Sequence, residues 1–306
     1  MFSLFKNPTW INYKLSEYSC FEDVPQHVFD DINVRLRKIV SKEPIISIII
    51  SAWNEEVNII RCIDTISRFK SQIPFEIIIV NNNSQDKTQN SLDKLAVKSF
   101  FQPIQGCGPS RQLAQENAMG KYILLADADC YYPPQWIDYM YDKLKRPNVV
   151  AVYGRYSFIT DNNSQRIKLL FYEKLKDIVA EIRHINRPFL NAYGISMGYL
   201  KEAGLKAGYI NHNTWGDDGR LVFDMMKYGK VLQVKNTRAR VWTGQRSLFR
   251  DGNLTKALVT RLVKEAVRFK GYFTKLEEHD TKTSKNGYHT LEDNIKVIKR
   301  KFKITK

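Results

Sequence analysis

Residues 45–88 read IISIIISAWNEEVNIIRCIDTISRFKSQIPFEIIIVNNNSQDKT, and this stretch decides the fold. Two runs, Ile45–Ile50 and Phe75–Val80, are rich in isoleucine and almost free of polar residues. A strand buried on both faces, as in a parallel sheet, reads this way. Between them Ile59, Ile60, Ile63, Ile66 and Phe69 recur at helical spacing. Asn54-Glu55-Glu56 offers that helix a start with acids in its first turn. Downstream, the loop 81–88 predicts a helix around Gln89–Lys98. The turn Gly106-Cys107-Gly108-Pro109 opens a helix that carries Leu113, Ala114 and Ala118 and ends near Gly120. Tyr122–Ala126 is a third strong strand, followed by Asp127-Ala128-Asp129. Strands alternating with helices at this pitch predict an open, mostly parallel α/β sheet.

Three polar clusters, residues 51–56, 81–88 and 127–129, each follow the C-terminal end of a strand. Ligands of open α/β sheets bind beyond those ends, so the clusters predict one shared site. Outside this core, a helix is expected at Val28–Val40, a strand at Val149–Tyr153 and a long helix at Ser164–His184. Trp215-Gly216-Asp217-Asp218 opens a helix that stops at Gly229. Lys230–Val234 and Arg238–Trp242 read as strands, Leu254–Phe273 as a basic amphipathic helix, and 280–290 as a loop before KVIKRKFKITK. The division that follows is an N-terminal extension (1–43), a main α/β domain (44–245) and a basic helical segment (246–306).

The chain has 306 residues and a formal charge of +16, with 43% hydrophobic and 26% charged residues, a globular composition that excludes disordered, collagenous and disulfide-scaffold classes. Residues 231–306 hold 19 Lys/Arg and 7 Asp/Glu, a net of +12, which leaves +4 for the rest. The basicity therefore belongs to the C-terminal quarter, where it suits an anionic partner. Cys20, Cys62, Cys107 and Cys130 form no CxxC pair, against a zinc ribbon or redox pair and in keeping with reduced thiols in a cytosol. No apolar stretch approaches spanning length, and the N-terminus lacks the apolar core of a signal peptide.

Asp127 and Asp129, off a strand into a turn, suit one hard cation such as Mg²⁺ or Mn²⁺ that keeps positions open for substrate phosphates. Turn-forming aspartates are the plainer alternative. Of Asp217-Asp218, a helix cap explains one; the second could act as general base on an acceptor hydroxyl. Trp53 could stack on a nucleobase or fill the core.

Together SIIISAWNEEVNI, FEIIIVNNNSQDKT, GPSRQLAQENAMGKYILLADADC and WGDDGRLVFDMMKYGKV resemble, in order over about residues 44–245, the family 2 glycosyltransferases. The resemblance implies the GT-A fold and transfer of a sugar from a nucleoside-diphosphate sugar to a hydroxyl, with inversion, in cell-surface glycan or glycolipid synthesis. It implies that Ser51, Trp53, Asn54 and Glu55 hold nucleobase and ribose. Asn81 stands where the family usually has an acid that binds the base. Arg111 is implied near the diphosphate, Asp127 near ribose or metal, Asp129 as metal ligand and Asp218 as catalytic base, with Asp217 in place of the commoner Glu. Gln245 and Arg246 lie where relatives often place a basic, acceptor-side or diphosphate-closing segment, although a surface basic loop is the plainer reading. Processive members carry spanning helices and Gln-x-x-Arg-Trp; this sequence has neither, so one sugar or few are expected per acceptor.

The basic helix and tail, 254–306, are expected on an anionic membrane surface near a lipid-linked acceptor, peripheral to the inner face. Three rivals stand beside this reading. A nucleic-acid binder suits the charge but lacks an RNP-like motif or zinc spacing. A nucleotidyltransferase would want glycine and a basic residue in the first loop, and Ser51–Glu56 has neither. A catalytically inactive scaffold fits Asn81 but not the retained Asp127, Asp129 and Asp218.

Overall fold

The computed structural model describes residues 5–160, 163–210, 216–249 and 254–274. Trp215, the predicted loop at 280–290 and the basic terminus lie outside the described residues. The first half runs α1 (Gln26–Ile39), β1 (Ile46–Ala52), α2 (Asn58–Ile66), β2 (Phe75–Asn81), α3 (Thr88–Lys94) and β3 (Lys98–Phe101). It continues with α4 (Cys107–Glu116), β4 (Tyr122–Asp127), β5 (Cys130–Tyr131), α5 (Trp136–Leu144), β6 (Val149–Tyr153) and β7 (Tyr156–Phe158). The second half holds α6 (Asn163–Asn186), β8 (Met197–Leu200), α7 (Lys201–Ala207) and α8 (Asp217–Met225). It closes with β9 (Lys230–Gln233), β10 (Val241–Thr243), α9 (Arg246–Phe249) and α10 (Leu254–Arg268).

Seven strands form the main sheet in the order β3-β2-β1-β4-β8-β6-β9. β8 is antiparallel to both its neighbours, β4 and β6; every other pairing is parallel. Strand order reverses at β1, between β2 and β4, and this is where an open α/β sheet leaves a crevice at its C-terminal edge. The register aligns Ser51 with Val80 on one side and with Asp127 on the other. The ends of three separate strands therefore stand at one level.

Alternation along the buried strands sorts their side chains into two cores. Ile46, Ile48 and Ile50, with Phe75, Ile77, Ile79 and Leu124, pack against α1, α2 and α5 through Phe29, Ile32, Ile63 and Trp136. Ile49, Ile78, Val80, Ile123 and Leu125 pack on the other face with Ala114, Leu221 and Met225. The N-terminal extension is part of the first core, because Leu15, Val28 and Leu36 are buried in it. Among the described residues no helix is long and apolar enough to cross a membrane.

A second, three-stranded sheet, β5-β10-β7, lies beside the first. Its strands are only two or three residues long, and β5 and β7 are too short to show a period. The reading Arg238–Trp242 is corrected to β10 at 241–243, with a 3₁₀ turn at Thr237–Ala239 before it. Likewise α3 stops at Lys94 and is followed by the edge strand β3, where a helix to Lys98 was expected. The helix expected from Asn54 starts at Asn58, because Asn54 takes a left-handed φ of 54° that no helix tolerates.

Two polar residues inside the strands are tied together at the opposite, N-terminal edge. Ser47 Oγ donates to Glu76 Oε1 (2.6 Å), and the amides of Met119 and Gly120 donate to Glu76 and Ser47. The turn into β4 thereby rests on β1. A Cβ on Gly120 would stand 2.6 Å from the Ser47 nitrogen and 2.7 Å from the Ile46 carbonyl carbon, both backbone atoms of a buried strand. Gly120→Ala is expected to lower stability by about 1–3 kcal/mol, read as a fall in the urea midpoint at constant slope; an unchanged midpoint would show that the turn can lift off β1.

Candidate active site

At the C-terminal edge the chain leaves β1 through Ser51-Ala52-Trp53-Asn54-Glu55. The left-handed Asn54 turns this loop onto the one after β2: its amide donates to Ser84 Oγ (3.0 Å) and its Oδ1 accepts from the Gln85 amide (2.8 Å). The Glu55 amide donates to Thr88 Oγ1 (2.8 Å) and that of Glu56 to Asp86 Oδ2 (3.2 Å). Two polar clusters read separately in the sequence are thus one laced wall. Trp53 projects from it and is 50% exposed, which removes the core reading for this ring.

Asn81 behaves differently from a residue with a free edge. It is buried, its Oδ1 accepts from the Ser84 amide (3.0 Å), and its Nδ2 donates to Gln89 Oε1 (2.9 Å). Its amide thus shapes the 81–89 loop. Asn82 holds the next loop in the same way, accepting from the Gly106 amide (2.8 Å) just before α4.

β4 ends in Asp127, and the turn Ala128-Asp129 leads into β5. Arg111, in the first half of α4, reaches between two carboxylates: one nitrogen donates to Asp218 Oδ1 and the other lies 3.5 Å from Asp127 Oδ1. The Gly194 amide donates to the remaining Asp218 oxygen (2.8 Å). Gly194 leaves the guanidinium its room, because a Cβ there would stand 2.0 Å from Arg111 Nη2 and 3.1 Å from Asp127 Oδ1. Asp217, one residue earlier, is buried and turned away; it accepts from Arg220 Nε (2.9 Å) and the Ile210 amide (3.1 Å). Neither bond goes to a first-turn amide of α8. Asp217 braces α8, and Asp218 is the one that faces the site.

A further cation closes the other side. β10 pairs antiparallel to β5 with Thr243 opposite Cys130, so the residues after Thr243 run back past Asp129. Arg246, at the start of α9, donates to Glu55 Oε1 and, at 3.0 Å, to Asp129 Oδ2. Arg246 is on the surface as the plainer reading has it, its side chain 54% exposed, but in a helix and not a loop, and its guanidinium joins the first loop to the Asp127–Asp129 turn. Gln245 beside it holds the second sheet, donating to the Ile159 carbonyl (2.9 Å). No pattern in the sequence announces a contact across 117 residues, and Gly194 carries no motif.

The result is a row of alternating charge, Glu55–Arg246–Asp129 and Asp127–Arg111–Asp218. Burial lifts Glu55 above the usual carboxylate range despite its bonds from Arg246 and Asn58. The Asp127 side chain keeps 38% of its surface exposed. Even so, desolvation in the concave site, opposed by Arg111 and aided by Asp129 and Asp218, pushes its pKa up to about 7. Burial alone would lower the Arg111 guanidinium, but the facing Asp218 and Asp127 help hold it well above its ordinary value.

As a cation site the residues fit a narrow description. Among the described residues no group of three or more His, Cys, Asp or Glu side chains is placed to hold a metal. Asp127 and Asp129 offer hard oxygen donors from a single turn, which suits Mg²⁺ or Mn²⁺ completed by substrate phosphates and water and does not suit Zn²⁺. Two surface cavities, of about 520 and 640 Å³, lie apart from this row; the larger borders Tyr131 and Arg166.

Comparison with known proteins gives the family and the fold. Residues 47–209, over half of the chain, match the model of glycosyl transferase family 2. Among curated proteins, glycosyltransferase AglE of Haloferax volcanii is 26% identical over 132 residues, 40% of this chain and 43% of that one. Dolichol-phosphate mannosyltransferase of Pyrococcus furiosus is 25% identical over 116 residues, 36% of this chain and 33% of that one. The matches thus span less than half the length of these relatives. Among solved structures, mannosyltransferase PcManGT from Pyrobaculum calidifontis, in complex with GDP-Man and Mn²⁺, superposes with a TM-score of 0.52 at 16% identity, over 87% of this chain and 76% of that one. That likeness establishes the fold, the GT-A arrangement. The chain belongs to glycosyl transferase family 2.

The charge row has a thermodynamic signature. A carboxyl raised from 3.8 to about 7 holds its proton more tightly folded than unfolded, so its ionisation costs stability as pH rises through that window. Asp127→Asn removes the cost. In metal-free thermal denaturation the variant is expected to gain on wild type at pH 8 and not at pH 4; equal differences at both would show that Asp127 ionises freely.

Proposed function

We propose that this family 2 glycosyltransferase moves a sugar from a nucleoside-diphosphate sugar to a hydroxyl acceptor by a single displacement with inversion, adding one sugar or few. The observation that carries the reading is the charge row at the sheet's switch point, with the exposed Trp53 at one end and Asp218 at the other. A diphosphate donor is anionic and leaves as a nucleoside diphosphate with growing negative charge. Arg111 and Arg246 already stand among carboxylates on either side of Asp127 and Asp129, and each can turn toward that charge.

Asp127 and Asp129 would hold a divalent cation, which supplies charge neutralisation to the leaving diphosphate. The chain's own groups do the rest. Trp53 gives a nucleobase a flat apolar face, and Ser51 and Asn54 line the start of the same loop. Asp218, fixed by the Gly194 amide and Arg111, accepts the acceptor hydroxyl's proton as that oxygen attacks the anomeric carbon. The acceptor approaches from the Tyr193–Gly194 side, opposite the diphosphate, which gives inversion. The catalytically inactive scaffold remains the second reading only through Asn81, and Asn81 is occupied in shaping its loop.

Two outcomes test this. Asp218→Asn should reduce turnover at least about 100-fold, the share expected of a general base. Nucleoside-diphosphate binding, followed by thermal shift with Mn²⁺, should survive. Turnover near wild type would remove the base assignment. Trp53→Ala should weaken nucleoside-diphosphate affinity by about 1–3 kcal/mol, the worth of one stacked base, as measured by titration calorimetry; an unchanged affinity would place the base elsewhere.

A further inference from the structure

The solvent side of α6 carries four large apolar residues in one row: Ile167 (65% exposed), Phe171 (67%), Ile178 (57%) and Ile185 (75%). Steps of four, seven and seven residues keep them on one helical stripe. From first to last the row runs about 27 Å. Such a row on the outside of a folded chain marks an interaction surface.

The charges on this helix are sorted. Two of its three acids point inward and are consumed there. Glu173 is buried and accepts from Arg166 (2.6 Å), Ser157 Oγ (2.8 Å) and the Phe158 amide (2.9 Å). Asp177 is buried and pairs with Arg240 and Arg155. Lys168 and Lys174 flank the apolar row on the exposed side; Glu181, bound to Arg155 and Lys235, is the acid nearest to it. Alongside runs α10, fastened to α6 by Arg183, which bonds Glu265 and the Tyr272 hydroxyl. α10 leaves Val259 and Leu262 exposed too, and it belongs to the quarter of the chain that holds the excess positive charge.

We propose that this face docks on an anionic lipid bilayer, with α6 lying in the plane of the headgroups. A long helix with an apolar stripe rimmed by lysines is the form an interfacial helix takes, and lysines at that depth favour anionic lipid. A second copy of the chain fits less well. Four partly exposed side chains offer roughly 500 Å² at most, taking about 200 Å² for each, against about 800 Å² per partner in a stable interface. Two such faces would also bring their lysines together. α6 is tied to the Asp218 side of the site, because Arg183 donates to the Tyr193 hydroxyl (3.2 Å), next to Gly194. The proposal stands on α6 alone and does not depend on which sugar is moved, or whether one is.

The test is co-sedimentation of the full chain with vesicles of phosphatidylcholine, alone or with one third phosphatidylglycerol. Wild type is expected to sediment with the mixed vesicles. The double variant Phe171→Ser/Ile178→Ser, which keeps the basic terminus, is expected to bind at least about tenfold more weakly while melting at the same temperature. Lys168→Glu/Lys174→Glu, also at exposed positions, is expected to lose the preference for phosphatidylglycerol. Binding unchanged in both variants would overturn the proposal, as would wild type failing to sediment. So would sedimentation velocity without vesicles showing a wild-type dimer that the serine variant splits, which would assign the face to a second copy.

Discussion

Asp127 and Asp218 occupy one cleft because Arg111 stands between them. Two carboxylates facing each other in a partly desolvated site repel strongly, and one of them would have to keep its proton. A single guanidinium with two ends solves this, since it donates to Asp218 and lies against Asp127 at once. Arg246 repeats the arrangement between Asp129 and Glu55. The compromise is incomplete, and Asp127 retains a carboxyl poised near neutral pH. A site built on this principle holds its anionic groups ready for a cation and its cationic groups ready for an anion, the charge pattern that the proposed donor and cation present.

How legible this was depends on how local the signal is. β1, β2 and β4 are readable because burial on both faces demands an unbroken apolar run, and Ile45–Ile50 and Phe75–Val80 supply one. The convergence of residues 51–56, 81–88 and 127–129 follows from the parallel arrangement alone. β3 was hidden because an edge strand half open to solvent has no such run: Lys98 read as the end of a helix and residues 99–101 as no element. β8 was hidden because MGYL is short and carries Gly198, whose absent side chain admits Leu124 from β4. The helix start left Asp217 and Asp218 open and only the family resemblance singled out Asp218; what holds Asp218 in the cleft is Gly194 with Arg111, and a lone loop glycine carries no pattern. Arg246 needed the pairing of Thr243 with Cys130, which lies 113 residues away in the chain.

The same pairing gives the second sheet a purpose. β5, β7 and β10 are short, and most of their residues are buried. They direct the chain after β10 back over the Asp127–Asp129 turn and deliver Arg246 to Glu55, 191 residues earlier in the sequence. The first loop and the last strand are therefore cross-linked through one side chain, and the site is closed on a flank that the main sheet leaves open.

Gly194 has a consequence beyond its own turn. The space that a methyl group would need is filled by Arg111 Nη2, at 2.0 Å, and the same residue's amide holds Asp218. A side chain at 194 would push the end of the Arg111 side chain from its place between Asp127 and Asp218. The room beside residue 194 and the reach of residue 111 are thus one steric constraint shared by two distant positions.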